Sequence, residues 1–221
     1  MLQKTAPSIR LVCFDIGGVL LRIFRSWQEA CQTLGLEYKP SLAQAENKKI
    51  FKTINTQFET GRINCDQYFE GYIKTLSSDY KEDEIRRVID AWILGPYPKV
   101  DDLIASIKSD GIDTALLSNI GPRHWGLCQS YNCIRAIKHH LLSFKLGCMK
   151  PDPKIYQLAY QFLSQQIPNL QPQEILFVDD MEENVLAART QLWQAHLVDH
   201  KTGAPGTAAL RQWFNEQGKS T

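Results

Sequence analysis

The sequence carries almost no excess of charge: 25 Lys and Arg stand against 24 Asp and Glu, a formal net charge of +1 over 221 residues. That balance gives neither the basic footprint of a nucleic-acid partner nor the acidic tail of a solvating segment. Long apolar runs are also missing. No stretch approaches the ~20 residues that a membrane-crossing helix needs, and Asp15 interrupts the only N-terminal run that could serve as a signal peptide. The expectation is a cytoplasmic chain with no nucleic-acid and no membrane partner. Cys13, Cys31, Cys65, Cys128, Cys133 and Cys148 include no C-x-x-C pair. Secreted disulfide scaffolds are shorter and denser in cysteine, so reduced, mostly buried thiols are expected. His139-His140 and His196…His200, even with Asp199 beside the latter, match no zinc motif and read as surface or loop histidines. Repeats and low-complexity tracts are absent as well. The length suits one substantial core plus an insertion.

What the sequence does contain is a set of apolar runs that end in chemistry. Leu11-Val12-Cys13-Phe14 drives straight into Asp15, and Gly17-Gly18 follow. Asp is a poor strand former and is seldom buried alone, so it is expected at the mouth of a sheet, where glycines let the backbone turn and approach a ligand. On its own, Asp15 could equally be a strand-end residue capping a turn. Thr114 to Leu117 is a second run, ending in Ser118 and Asn119. Ile175 to Val178 is a third, ending in Asp179-Asp180. Between them Lys150 precedes Pro151-Asp152-Pro153, a helix-start signal because proline suits the first helical turn. Each piece is common alone; their order is not.

In that order the residues resemble the haloacid-dehalogenase-like hydrolase superfamily, over nearly the whole chain from Leu11 to about Val198. Asp15 is similar to the family's nucleophile, Ser118 to its second motif, Lys150 to its third and Asp179-Asp180 to its acidic fourth. Leu142-Ser143-Phe144-Lys145-Leu146-Gly147-Cys148-Met149-Lys150-Pro151 and Asp179-Asp180-Met181-Glu182-Glu183-Asn184 resemble a sugar-phosphatase-like branch, of the α-D-glucose-1-phosphate phosphatase type. Glu59-Thr60-Gly61-Arg62-Ile63 resembles an E-x-G-x-I turn in the helical cap of that branch. One departure stands out. Most phosphatases of the superfamily carry a second Asp two residues after the nucleophile, and here that position is Gly17.

The periodicity agrees with such a fold. From about Ser26 to Trp92 apolar residues recur at helical spacing, as in Ile50, Ile54, Phe58 and in Tyr68, Tyr72, Leu76, with Gly61 and Pro96-Tyr97-Pro98 as turns. After Pro98 helices and strands alternate, which implies βαβ units and a parallel sheet. The expected fold is α/β: a Rossmann-like core of residues 1–21 and 99–221, with a helical cap of residues 22–98 inserted beside the nucleophile loop. Ile9 to Phe14 is expected as a strand, Leu141 to Phe144 as an apolar stretch, and the chain from about Asn215 as a frayed end.

The resemblance implies a Mg²⁺-dependent phosphomonoester hydrolase working through an aspartyl-phosphate on Asp15. Its substrate would be a small phosphorylated metabolite, with an anomeric sugar phosphate favoured. Mg²⁺ takes near-octahedral oxygen ligands, which Asp15, Asp180 and the Gly17 carbonyl would supply, with Asp179 direct or through a water. Ser118 and the Asn119 backbone N–H would bind the phosphoryl oxygens, and Lys150 would add a positive charge and orient Asp15. Arg22 and Arg62 are weaker candidates for substrate contacts, better read as solvated. Gly17 leaves the leaving group without its usual acid, so a weak or inactive phosphate-binding pseudoenzyme is the alternative. A haloacid dehalogenase is a further one, disfavoured because dehalogenases of the superfamily lack the acidic pair. The oligomeric state is not legible.

Overall fold

The computed structural model describes residues 8–200; the segment beyond Asn215 lies outside the described residues. The first strand, β1 (Leu11–Phe14), is buried at every position, as expected of a strand covered on both faces. A three-residue strand β2 (Leu21–Ile23) follows, and then four helices: α1 (Trp27–Leu34), α2 (Ala45–Glu59), α3 (Cys65–Leu76) and α4 (Glu82–Asp90). β3 (Ile93–Pro96) returns the chain, and α5 (Val100–Ser109) leads into β4 (Asp113–Ser118). Two short helices, α6 (Pro122–Cys128) and α7 (Asn132–Ala136), precede β5 (His139–Leu142) and α8 (Ser143–Leu146). The chain then runs through α9 (Pro153–Gln166), β6 (Ile175–Asp179), α10 (Glu182–Thr190) and β7 (Gln194–Leu197).

The five-stranded sheet has the order β5-β4-β1-β6-β7 and is parallel throughout. β1 lies at its centre, and the chain fills one side before crossing to the other. Such a reversal opens a crevice at the carboxyl ends of the strands. Alternate residues of β1 feed two cores: Val12 and Phe14 face one cluster, Leu11 and Cys13 the other. The last registered pairs join Phe14 to Leu116 and to Val178. Asp15 and Asp179, each one residue further on, therefore emerge side by side.

The helices between β2 and β3 pack round their own apolar cluster, which includes Phe51, Phe58, Tyr68, Tyr72 and Ile85. Their starts obey local chemistry: the Ser26 side chain caps α1, and Asn64 with Gln67 forms a capping box on α3. This helical layer is fastened to the sheet-bearing part at several points. Arg123 of α6 makes a two-pronged ion pair with Asp90, at 2.8 and 2.7 Å. The Phe58 ring lies so close to Gly121 that a Cβ there would sit 2.2 Å from Cε1.

Several expectations need correction. β2 and β3 form an antiparallel ribbon with a bulge between Arg22 and Ile23, where a turn was expected at Pro96. The strands are too short to alternate, and Pro96 is tolerated because a two-stranded ribbon has only edges. The stretch near Leu141 splits into a strand and a short helix. His139 is buried on β5 rather than exposed, and His196 is half-buried on β7. Of the six cysteines five are buried and all are free. No described helix is long and apolar enough to cross a membrane.

Candidate active site

Lys150 organises the site. It is 2% exposed, and its Nζ lies 2.6 Å from Asp179 Oδ2 and 2.9 Å from Asp15 Oδ1. Burial alone would push its pKa down, but the two carboxylates outweigh that and hold the ammonium above the ordinary lysine value. Its backbone is clamped from β4: Asn119 Oδ1 accepts from the Lys150 N–H, and Asn119 Nδ2 donates to the Lys150 carbonyl, both at 2.8 Å. The Asn119 side chain thus positions the lysine, leaving its backbone N–H as the group expected to meet a ligand.

The two acidic neighbours at the end of β6 differ sharply. Asp179 is fully buried and saturated. Its Oδ1 accepts from the Met181 N–H and from Asn184 Nδ2, and its Oδ2 accepts from Lys150 and from the same amide. Asp180 Oδ2 is held by ion-pair contacts rather than a formed hydrogen bond: the Arg25 guanidinium lies 2.8 Å away and His200 Nδ1 3.8 Å away. It also lies so close to the nucleophile loop that a Cβ on Gly18 would sit 2.4 Å away; with φ of +77° that position requires glycine twice over. Asp15 Oδ1 likewise lacks a hydrogen bond and faces only Lys150. Burial raises the Asp15 pKa to about 6, with Lys150 opposing, Asp179 adding, and Ser118 donating a stabilising hydrogen bond.

One carboxylate oxygen from each of Asp15, Asp179 and Asp180 lies within 4.8 Å of the others. Hard oxygen donors so grouped suit Mg²⁺, and the oxygens that form no hydrogen bond belong to Asp15 and Asp180. Three carboxylates against Lys150 and Arg25 leave one negative charge uncompensated, which a divalent cation would more than offset. Asp179 fits better as the anchor of Lys150 than as a direct ligand.

Above these groups lies a cavity of about 710 Å³ between the helical layer and the sheet, lined by Gly17, Ser118 and Asn119 below. One face of α2, presenting Lys48, Asn55, Thr56 and Glu59, lines it from above, with Trp27, Tyr68 and Trp92 at the sides. Glu59, Arg25 and Asn184 were not assigned roles from sequence. Glu59 and Asn184 sit inside motifs that could have flagged them; nothing in the sequence pairs Arg25 with Asp180. Arg22 and Arg62 are exposed and do not line the cavity.

A model of the haloacid dehalogenase-like hydrolases matches residues 9–190. The chain belongs to this family. A HAD family enzyme from Bacteroides thetaiotaomicron has a similar structure, with a TM-score of 0.72 at 20% identity, covering 88% of this chain and 95% of that one. The same enzyme in complex with magnesium and inorganic phosphate gives 0.69 at 22%, over 87% and 96% of the two chains. Among curated proteins, mouse acyl-CoA dehydrogenase family member 10 is 26% identical over 193 residues, 82% of this chain but 17% of that protein. The (S)-2-haloacid dehalogenase of Pseudomonas sp. strain YL is 33% identical over 102 residues, 45% and 42% of the two. The chain spans less than half the length of these two relatives. The chain thus joins a Rossmann-like α/β core to a grouping of Asp15, Ser118, Lys150, Asp179 and Asp180 around the ends of β1, β4 and β6.

Proposed function

We propose that this HAD-like hydrolase is a Mg²⁺-dependent phosphomonoesterase in which Asp15 becomes transiently phosphorylated. The observation that carries the reading is the clustering of Asp15, Asp179 and Asp180 carboxylate oxygens within 4.8 Å, with Asp15 Oδ1 and Asp180 Oδ2 held only by ion-pair contacts to neighbouring cationic side chains. A divalent ion held by Asp15, Asp180 and the Gly17 carbonyl would supply electrostatic neutralisation of the transferring phosphoryl group. Lys150 fixes the Asp15 carboxylate for attack on phosphorus, and Asp179 fixes Lys150. Ser118, buried at the end of β4, offers its hydroxyl to a phosphoryl oxygen, and the Asn119 N–H offers a second donor. Clamping equatorial charge in this way is the main catalytic term in phosphoryl transfer.

The substrate is a small phosphorylated metabolite, with an anomeric sugar phosphate favoured. Support comes from the cavity wall, which includes the aromatic side chains of Trp27 and Trp92 as well as the polar Asn55 and Thr56. The helical insertion acts as a cap over the phosphate site. Dehalogenase chemistry is the second reading, kept because one relative is named for it. It uses the same kind of nucleophile and gives the acidic pair nothing to do.

Profiling the purified protein against a phosphomonoester panel, with Mg²⁺ and with excess EDTA, separates these readings. Mg²⁺-dependent phosphate release that Asp15→Asn abolishes, with the variant still folded, is expected. Undiminished turnover in EDTA, or full activity of Asp15→Asn, overturns the reading. Phosphate binding with no turnover of any ester would make the chain the inactive binder.

A further inference from the structure

Gly17 leaves the nucleophile loop without a side chain that could hand a proton to a leaving group, and the space beside it is taken. A Cβ on Gly17 would lie 2.9 Å from Ile23 Cδ1, so an apolar group from β2 occupies that corner. The proton must come from elsewhere on the cavity wall.

In-line attack puts Asp15 and the leaving oxygen at opposite ends of the transferring group. Water that later cleaves the aspartyl-phosphate arrives from the leaving-group side. Both steps therefore need a proton carrier that reaches the leaving-group side of the cavity; with no side chain at Gly17 to do so, the facing helical layer is the place to look. Glu59, the last residue of α2, lines the cavity there, together with Gly17 and Ser118 opposite. It stands outside the cluster formed by Asp15, Asp179 and Asp180.

Its position is fixed from both flanks. Phe58, one residue earlier, is wedged against Gly121. Two residues later, Gly61 has φ of +70° and packs so tightly that a Cβ would sit 2.4 Å from the Phe144 carbonyl oxygen. Between them the Thr60 hydroxyl donates to the Thr56 carbonyl at 2.6 Å, and the Arg62 N–H to the Gln57 carbonyl at 2.7 Å, closing the turn. Burial, reinforced by the charge of Asp15 and opposed by Lys150, raises the Glu59 pKa to about 7. Near neutrality the group therefore divides between acid and carboxylate, as a general acid–base catalyst requires.

His124, Tyr68 and Tyr72, also on the wall, are less suited. His124 Nε2 is engaged with the Ile89 carbonyl at 3.0 Å, and burial lowers its pKa, so it has no second proton to give. Burial holds the Tyr68 hydroxyl well above the ordinary phenol range, and the Tyr72 hydroxyl donates to Asn55.

We propose that Glu59 is the general acid–base of this site, an assignment that rests on the phosphatase reading. As the Asp15 oxygen bonds to phosphorus and the bond from phosphorus to the leaving oxygen breaks, the Glu59 carboxyl proton passes to that oxygen and frees the alcohol. Glu59, now a carboxylate, takes a proton from water as the water oxygen bonds to phosphorus and the bond to Asp15 breaks. Inorganic phosphate leaves, and both side chains return to their starting states.

The test compares Glu59→Gln with the wild type in kcat/KM on aryl and primary-alkyl phosphates at fixed Mg²⁺. Loss of roughly 10²–10⁴-fold on alkyl esters is expected, with a much smaller loss on nitrophenyl phosphate, whose oxygen leaves without a proton. Beryllofluoride, a phosphoryl mimic, should still raise the melting temperature of Glu59→Gln, showing that the phosphate site is intact. Glu59→Asp should recover part of the alkyl-ester activity. An equal loss on both ester classes, or no loss, overturns the assignment while leaving the phosphatase standing. A wild type that turns over no ester overturns both.

Discussion

Lys150 Nζ and Asp179 Oδ2 meet at 2.6 Å in a pair that is almost completely buried, with side-chain exposures of 1% and 0%. Such a pair is costly to break because the surviving charge keeps its desolvation penalty without its partner. Here the survivor would also face Asp15, a second carboxylate. Lys150→Met should therefore lower stability by about 3–5 kcal/mol, read by urea denaturation in EDTA. A loss under about 1 kcal/mol would mean that one of the carboxylates is already protonated, and that Lys150 does not hold them apart.

A cation bound at Asp180 would have to displace Arg25. The Arg25 Nη2 stands 2.8 Å from Oδ2, and its side chain is 35% exposed against 3% for Asp180. Arg25→Gln removes a positive charge beside the candidate metal site. Mg²⁺ should then bind about fivefold more tightly, about 1 kcal/mol, measured by calorimetric titration without substrate. Weaker binding in the variant would show instead that Arg25 holds Asp180 in its ligating position.

The contrast between these two contacts shows which parts of the site are legible in the sequence. β1 and β6 are continuous apolar runs, so their ends, and with them Asp15 and Asp179, stand out from the residue pattern alone. Lys150 is marked by Pro151-Asp152-Pro153, and α9 does begin at Pro153. What the pattern does not carry are facts of docking. Arg25 lies between β2 and α1 and Asp180 just beyond β6, so their ion pair joins segments far apart in sequence, and strands of three or four residues leave no pattern. The direction of Glu59 depends on Phe58 settling against Gly121, a contact between segments that share no periodicity. Division of labour between Asp179 and Asp180 is hidden too, because it is decided by Asn184 and the Met181 N–H.

Acid–base behaviour offers a check on Glu59 that needs no substrate. Its folded pKa of about 7 is raised from 4.5, so between those values the folded chain holds a proton that the unfolded chain has lost. Stability must fall as pH rises through that window and level off above it. Asp15, raised to about 6, contributes with the same sign, and His124, lowered by burial, with the opposite one. Both remain in Glu59→Gln, so the difference between variant and wild type isolates Glu59. In EDTA, the variant should gain in melting temperature relative to the wild type as pH goes from 4.5 to 8. Parallel curves would mean that Glu59 titrates normally and is open to solvent.

The most demanding prediction places the missing acid back on the nucleophile loop. Gly17 and Gly18 are adjacent but not equivalent. Gly18 has φ of +77° and a Cβ there would strike Asp180, so it tolerates no side chain. Gly17 is not in the left-handed region, and the three atoms nearest a built Cβ all belong to the Ile23 side chain, with Cδ1 at 2.9 Å and Cγ2 at 3.6 Å. Cδ1 is the free end of that chain and can rotate aside, so Gly17→Asp should fold. Introduced into Glu59→Gln, it should restore activity on primary-alkyl phosphates at least about tenfold, because a carboxyl again reaches the leaving oxygen. Adding Ile23→Ala should raise it further by opening the corner that Ile23 fills. On nitrophenyl phosphate neither change should matter, since that oxygen needs no proton. Recovery confined to the alkyl series would show that one proton carrier has been exchanged for another across the cavity. If alkyl activity stays at the Glu59→Gln level while Gly17→Asp remains folded and binds beryllofluoride, Glu59 does something other than proton transfer.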